Sequence, residues 1–145
     1  MKKSIKKLTA LLLTLCLLTV PAAVTASASD ITPYYNNVTS TLTSMNINSS
    51  GQMTINYQYF GSASKTTKAV ITTYIEKKVL GLFWQRVNNG QPDNQWVDTI
   101  NDYEYTGYRK VQLKSSGTYR VKVEYKIYGS GGAADVVNYE KEDSY

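Results

Sequence analysis

Histidine is absent from the 145-residue sequence, and cysteine occurs once, as Cys16. Without histidine the chain cannot form the Ser-His or Cys-His pairs that activate a nucleophile, and it lacks the usual ligand set of zinc and copper sites. A single cysteine also excludes an intramolecular disulfide. The sequence therefore predicts no catalytic residues, no metal site and no cofactor, and a fold that depends on packing and backbone hydrogen bonds.

The amino-terminal segment differs in composition from the rest of the chain. Four lysines within the first seven residues precede an apolar run over 8–20, and Ala-Ser-Ala at 26–28 fits a cleavage site. The run is shorter than the roughly 20 residues of a transmembrane helix, and Pro21 follows it. We predict a secretory signal peptide over 1–28, hence a secreted, extracellular protein with no stable membrane anchor after cleavage.

The excess of positive charge belongs mainly to that segment. Four of the 16 basic residues lie in it, which leaves 12 basic residues against all 11 acidic residues in the rest of the chain. A nearly neutral chain gives no electrostatic support for binding to nucleic acid or to an anionic membrane. We therefore expect neither of these partners.

Residues 117–128 show the clearest periodicity in the sequence. Tyr119 and every second residue as far as Ile127 are apolar or aromatic, whereas the residues between them are charged. A period of two is typical of a strand with one buried and one solvent-facing side. The β-branched and aromatic content also favours a strand. We predict a central antiparallel strand here.

Other strand patterns recur about every ten residues, separated by turns. We predict strands over 38–48, 52–60, 68–79, 83–87, 96–100, 108–114 and 133–139, with a hairpin turn at 80–82 and a loop over 88–95. Seven to eight short strands without a helix indicate an all-β fold, an Ig-like antiparallel β-sandwich. The expected segments are the signal peptide 1–28, a lead-in 29–37, the sandwich 38–140 and a charged tail 141–145.

Tyr119 lies where an Ig domain has its tyrosine corner. That tyrosine comes two residues before the second cysteine of the inter-sheet pair, and its hydroxyl donates to the backbone upstream. Val121 takes the place of the cysteine, and Ile55 is its expected counterpart on an earlier strand. The spacing predicts an apolar pair in place of the disulfide.

Several short motifs run through nearly the whole chain after the signal segment. They are Ile-Thr-Pro at 31–33, Gly51, Glu-Lys-Lys at 76–78, Phe-Trp at 83–84, and Ser-Ser-Gly-Thr-Tyr-Arg-Val at 115–121 followed by Tyr125 and Tyr128. With these motifs the chain resembles a large family of small secreted proteins of Gram-positive bacteria. The resemblance implies one exported β domain of unassigned function. The chain differs from that pattern at Ile55, where members often have cysteine, and in a longer polar insert before Trp96.

Asp98, Asp102 and Glu104 form the densest group of carboxylates. Such a group could bind calcium or supply the acid and base of a glycoside hydrolase. The competing interpretation is a solvated turn that carries charge, since the spacing is not that of an EF-hand. We therefore expect a protein that is not an enzyme, with a hydrolase based on Asp98 and Glu104 as a lesser hypothesis.

The 13 tyrosines make aromatic side chains the better lead. Aromatic faces with polar rims can stack on sugars or contact a protein. The candidate binding surface comprises Phe83, Trp84, Trp96, Tyr103, Tyr105 and Tyr108. Tyr103 and Tyr105 are expected to share a face, although ordinary solvent-facing strand positions are an alternative. Trp84 could instead turn inward and fill the core.

These patterns favour a monomeric, non-catalytic binding module at or outside the cell surface, with a cell-surface protein or carbohydrate as its partner. The alternative is a secreted bacteriocin-like or toxin-like effector. That function requires exposed apolar residues over 80–84 that can enter a membrane or a receptor.

Overall fold

Eight antiparallel strands account for most of residues 35–145, the part of the chain that the computed structural model describes. They are β1 Val38–Ile47, β2 Gln52–Gly61, β3 Thr66–Val79, β4 Phe83–Arg86, β5 Trp96–Ile100, β6 Glu104–Gln112, β7 Thr118–Gly129 and β8 Asp135–Ser144. The predicted signal peptide and most of the lead-in lie outside the described residues. Within them, no helix has the length and apolar character needed to cross a membrane.

The strands form two sheets that pack as a sandwich. The first sheet has the order β1-β2-β6, and the second has the order β4-β3-β7-β8, with β5 also paired to β3. β4 pairs with residues 76–79 of β3 and β5 with residues 69–73, so the two short strands share one edge. A constant Ig domain has four strands against three; here the strand after β3 lies in the second sheet instead of the first. The predicted all-β, Ig-like sandwich of seven to eight strands is confirmed.

β7 lies at the centre of the second sheet, as its periodicity predicts. It pairs with β3 on one side and with β8 on the other. Its alternate residues from Tyr119 to Ile127 are at most 2% exposed. Full burial of one such side chain stabilises the fold by roughly 1.5 to 3 kcal/mol, so this strand contributes a large share of the core.

The core lies between the inward faces of the two sheets. The four tyrosines at 57, 59, 119 and 125 belong to it together with the aliphatic residues of β2, β3 and β7. Ile55 and Val121 are both fully buried in this cluster. They lie on β2 and β7, the strands that correspond to those joined by the disulfide of antibody domains, so both positions are apolar and buried as predicted.

Tyr119 forms the predicted corner. Its hydroxyl donates a hydrogen bond of 2.6 Å to the carbonyl oxygen of Ser115. The ring of Tyr145 stacks on Tyr119 with 6.2 Å between ring centroids. The backbone groups of Tyr145 and Gly117 exchange two hydrogen bonds, so the residue that follows β8 covers the corner.

The predicted charged tail over 141–145 is largely the end of β8. Its residues pair with the start of β7, from Lys141 opposite Val121 to Ser144 opposite Thr118. The expected boundary at residue 140 is therefore wrong. Charged side chains are common on exposed edge strands because they oppose pairing with another sheet, so a composition typical of a free end also suits this position.

Side chains of β8 hold the start and the end of β1. The carboxylate of Asp135 accepts hydrogen bonds of 2.6 to 3.0 Å from the three successive backbone N–H groups of residues 36–38. The carboxylate of Asp143 accepts one of 2.8 Å from the N–H of Ile47. These bonds close one lateral side of the sandwich, between the two sheets.

Candidate functional site

The six residues of the predicted binding surface do not form one surface. The structure divides them into Phe83 and Trp84 on the β3–β4 hairpin, Trp96 at the lateral edge formed by β5, and Tyr103, Tyr105 and Tyr108 at or before β6. Each group has its own surroundings, and only the hairpin group combines exposure with an apolar neighbourhood.

The three tyrosines near β6 differ in their surroundings. Tyr105 points to the core and packs against Tyr59, with ring centroids 6.4 Å apart. Tyr108 lies on the outer face of the first sheet and is 68% exposed. Tyr103 precedes β6, which begins at Glu104, and is 39% exposed, whereas Tyr105 is on the inward parity of the strand. The expectation that Tyr103 and Tyr105 share a face stays a prediction.

Trp96 packs at the edge of the core on the second lateral side of the sandwich. The guanidinium carbon of Arg109 lies 4.9 Å from its ring centroid. Arg109 also forms an ion pair of 2.7 Å with Asp98. Because Arg109 belongs to β6 and Asp98 to β5, this ion pair joins the two sheets. Trp96 packs beside the ion pair and is not part of an open aromatic surface.

The three carboxylates considered for chemistry do not come together. Asp98 is engaged by Arg109, Asp102 accepts a hydrogen bond of 2.7 Å from the backbone N–H of Tyr103, and Glu104 is exposed on β6. Within residues 35–145, no group of three acidic, histidine or cysteine side chains is arranged to hold a metal ion. These positions therefore give a hydrolase or a calcium site no geometric support.

The β3–β4 hairpin presents a cluster of exposed apolar side chains. Leu80, Leu82 and Phe83 are 85%, 74% and 64% exposed. The turn has positive φ angles at Leu80 (53°) and Gly81 (69°), and the N–H of Leu82 donates to the carbonyl oxygen of Val79 at 3.1 Å. Two consecutive positive φ angles are the mark of a type I′ turn, in which Asn-Gly is the favoured pair.

Trp84 follows this turn on the outer face of the second sheet. It is half-buried there, with the guanidinium carbon of Arg120 at 4.3 Å and Nζ of Lys78 at 5.3 Å from the ring centroid. The interpretation that Trp84 fills the core is wrong, because Trp84 pairs with Lys78 and paired residues of a sheet face the same side.

A network of ion pairs fixes the arginine that stacks on Trp84. Arg120 bonds to Glu76 at 2.5 Å and to Glu140 at 2.9 Å, and Lys122 bonds to Glu140 at 3.1 Å. The hydrogen bond from Lys122, together with the charge of Arg120, holds the pKa of Glu140 below its ordinary value. The hairpin therefore leaves the sandwich at a position where both of its strands are held by ordered side chains.

Comparison with known proteins gives no family for this chain. No protein-family model matches the sequence, and no curated protein is similar to it. One solved structure with a similar arrangement is wild-type OgpA from Akkermansia muciniphila, with a TM-score of 0.40 and 10% sequence identity. The match covers 82% of this chain and 33% of OgpA, so the chain spans about a third of that protein. The resemblance to secreted Gram-positive proteins stays a prediction.

Proposed function

We propose that the protein is a non-catalytic binding module that acts at or outside the cell surface. It contacts its partner through the hairpin tip, defined as Leu80, Leu82 and Phe83, with Trp84 at its base. The partner is a cell-surface component, and the apolar character of the tip favours a protein with an apolar pocket over a carbohydrate.

The main observation in support of this proposal is the conformation and exposure of Leu80. A leucine in the left-handed region costs roughly 1 kcal/mol or more, because its Cβ approaches the following carbonyl oxygen. With 85% of Leu80 exposed, the folded domain regains little of that cost through burial. An unfavourable and exposed apolar residue at a turn is typical of a residue retained for contact with another molecule.

The hairpin also suits recognition because its conformation is held in advance. Four consecutive pairs, from Glu76 opposite Arg86 to Val79 opposite Phe83, fix the two strands. A recognition loop that is already ordered loses less conformational entropy on binding, which leaves more of the contact energy as affinity. Apolar anchors on such loops commonly provide most of the binding energy of an interface.

A binding assay with paired substitutions tests the proposal. Purified protein is incubated with whole cells, isolated peptidoglycan and a polysaccharide panel, and saturable binding is measured for the unaltered chain, Leu80→Asn and Phe83→Ser. We expect both substitutions to weaken binding at least about tenfold, a loss typical of an interface anchor. Leu80→Asn should at the same time stabilise the fold slightly, because Asn-Gly suits the turn.

Leu42→Asn is the matched control, since Leu42 is 62% exposed on the first sheet, away from the hairpin. It should leave binding unchanged. Equal binding by Leu80→Asn, Phe83→Ser and the unaltered chain would remove the hairpin from the interface and contradict the proposal.

The same tip also supports the alternative of a secreted bacteriocin-like or toxin-like effector. Lys78 closely precedes these exposed apolar residues in the chain, and an apolar tip next to a basic side chain suits insertion into an anionic membrane. Dye release from vesicles with anionic lipid separates the two functions. Release that Phe83→Ser abolishes favours the effector, whereas binding to cells without release favours the module.

A further inference from the structure

A cleft of about 760 Å³ opens on the lateral side of the sandwich opposite β1 and β8. It is bounded by β6 of the first sheet and by β4, with the loop that follows β4, of the second sheet. It lies where residues 88–95 depart from the edge of the second sheet before β5 begins. Its lining includes three buried core residues, Ile75, Leu113 and Tyr119, and three half-buried ones, Val87, Trp96 and Val111. The volume lies within the range of about 300 to 1,000 Å³ typical of small-molecule sites.

The charged residues around this cleft all have the same sign. Its lining contains the basic residues Lys77, Arg86, Lys110 and Lys114, and neither aspartate nor glutamate. Among residues 35–145, none of these four forms an ion pair. Arg120 and Lys122, on the outer face of the second sheet, are by contrast paired with glutamates. Arg86, however, stacks on Tyr74 and donates to the carbonyl oxygen of Asp93, and Lys110 lies over Tyr108 on the outer face of the first sheet. The positive charge beside the apolar floor is therefore that of Lys77 and Lys114.

Lys77 brings that charge next to the apolar floor. Its Nζ donates to Oγ of Ser115 at 2.6 Å and lies 5.4 Å from the ring centroid of Tyr119. An ammonium group has three donors, and Ser115 accepts from one of them. The remaining donors can reach an acceptor that enters the cleft, and hydrogen bonds from an ammonium to an anion are stronger than neutral ones.

We propose that the cleft binds a small amphipathic anion, with an apolar chain between the sheets and a carboxylate-like head at the basic rim. The floor favours apolar matter because its burial removes apolar surface from water. The rim favours a negative head over a neutral or positive one. This proposal is independent of the hairpin function, because Leu80, Leu82 and Phe83 do not line the cleft.

Decanoate is the probe, and Trp96 reports its binding. The chain has two tryptophans, so Trp84→Phe leaves Trp96, inside the cleft, as the single one. We expect a saturable change in its fluorescence with decanoate, and at least about fivefold weaker binding of decyltrimethylammonium, which has the same chain and a positive head. No saturable change with decanoate, or equal affinity for both probes, would overturn the proposal.

Charge reversal at the rim provides the second measurement. Lys114→Glu changes one exposed side chain of the lining and should weaken decanoate binding about fivefold or more. Lys65→Glu is the control, because Lys65 lies in the β2–β3 loop, outside the cleft lining. An equal loss in the control would mean non-specific attraction and would contradict a defined site.

The last arm distinguishes a free anion from an anionic lipid headgroup. Phosphatidylglycerol vesicles are sedimented with the protein in the presence and absence of decanoate. Displacement of the protein from vesicles by decanoate supports the cleft as the shared site. Sedimentation that decanoate leaves unchanged, together with no fluorescence response of Trp96, assigns the basic residues to a membrane surface and overturns the proposal.

Discussion

The tyrosine hydroxyls of this protein differ widely in their surroundings. The hydroxyl of Tyr119 donates to Ser115 at the corner, and that of Tyr125 is 2.6 Å from Oγ1 of Thr43 inside the core. Tyr108, by contrast, is exposed on the first sheet. Substitution of each by phenylalanine therefore removes the same atom from three different environments.

Tyr119→Phe should destabilise the fold by about 1 kcal/mol, the usual net contribution of one hydrogen bond. The carbonyl oxygen of Ser115 loses this donor, whereas the aromatic packing is kept. Urea denaturation measures the difference in the free energy of unfolding. Tyr108→Phe is the control and should leave it unchanged; equal stability of both variants would mean that the corner contributes nothing.

Stability should fall at alkaline pH because of buried tyrosines. Burial raises the pKa of Tyr125 and of Tyr59 to about 12, whereas a tyrosine in the unfolded chain has a pKa near 10. Between pH 10 and 12 the unfolded chain releases protons that the folded chain retains, so rising pH favours unfolding. The contribution of these groups is complete below about pH 10 and is lost towards pH 12.

Tyr125→Phe tests this dependence. Its free energy of unfolding, measured in urea at pH 8 and at pH 11.5, should decline less with pH than that of the unaltered chain, by roughly 1 to 2 kcal/mol. The lysines titrate in both proteins and cancel in the comparison. An identical decline in both would contradict a raised pKa at this position.

Some residue roles follow from spacing and others do not. The interval from Gly117 to Tyr119 to Val121 identifies the corner because all its members lie on one strand and its lead-in. The role of Asp135 has no local pattern, since its carboxylate accepts from N–H groups 97 to 99 residues earlier in the chain. Contacts between distant segments require the folded arrangement of β1 and β8.

Asp135→Ala should cost roughly 2 to 3 kcal/mol of folding free energy, since it leaves buried N–H groups of residues 37 and 38 without an acceptor. Thermal and urea unfolding both measure this loss. Glu104→Ala removes an exposed carboxylate on β6 and should change stability little. If Asp135→Ala lowered the free energy of unfolding no more than Glu104→Ala does, β1 would be held by its pairing with β2 alone.

Among the elements, the strongly periodic strands β2, β3 and β7 were predictable, and the ends of β6 and β8 were not. The sequence over 103–108 is compatible with either a loop that carries tyrosines or a strand. Because residues from Glu104 onward pair with β2, this segment is a strand. The charged residues at the end of β8 are likewise compatible with a free chain end or an edge strand. Their pairing with β7 shows that they form an edge strand.

Removal of residues 141–145 distinguishes these two possibilities for β8. We expect a clearly lower urea midpoint, because the deletion removes four strand pairs with β7 and the ring that stacks on Tyr119. Lys141→Gln/Glu142→Gln keeps the strand while removing two charges and should retain the midpoint. A truncated chain as stable as the unaltered one would indicate a dispensable end.

For the whole molecule, the two lateral sides of the sandwich are closed by different means. Carboxylates of β8 accept hydrogen bonds from the backbone of β1 on one side. On the other, the ion pair of Arg109 and Asp98 joins the sheets, and the cleft opens beside it. Residues 35–145 contain no cysteine. This part of the chain should therefore unfold in one cooperative transition whose midpoint is the same with and without a reductant, as calorimetry can check.

The bonds of Asp135 also bear on how fast this domain can reach its native state. They join the start of β1 to the start of β8, which are 97 to 99 residues apart in the sequence. A fold whose first and last strands must meet has a high contact order, and such proteins typically fold in milliseconds to seconds because a long loop has to close first. Until the loop closes, β1 and β8 lack the contacts that join them. We therefore expect self-association of the chain to compete with folding mainly before this slow step.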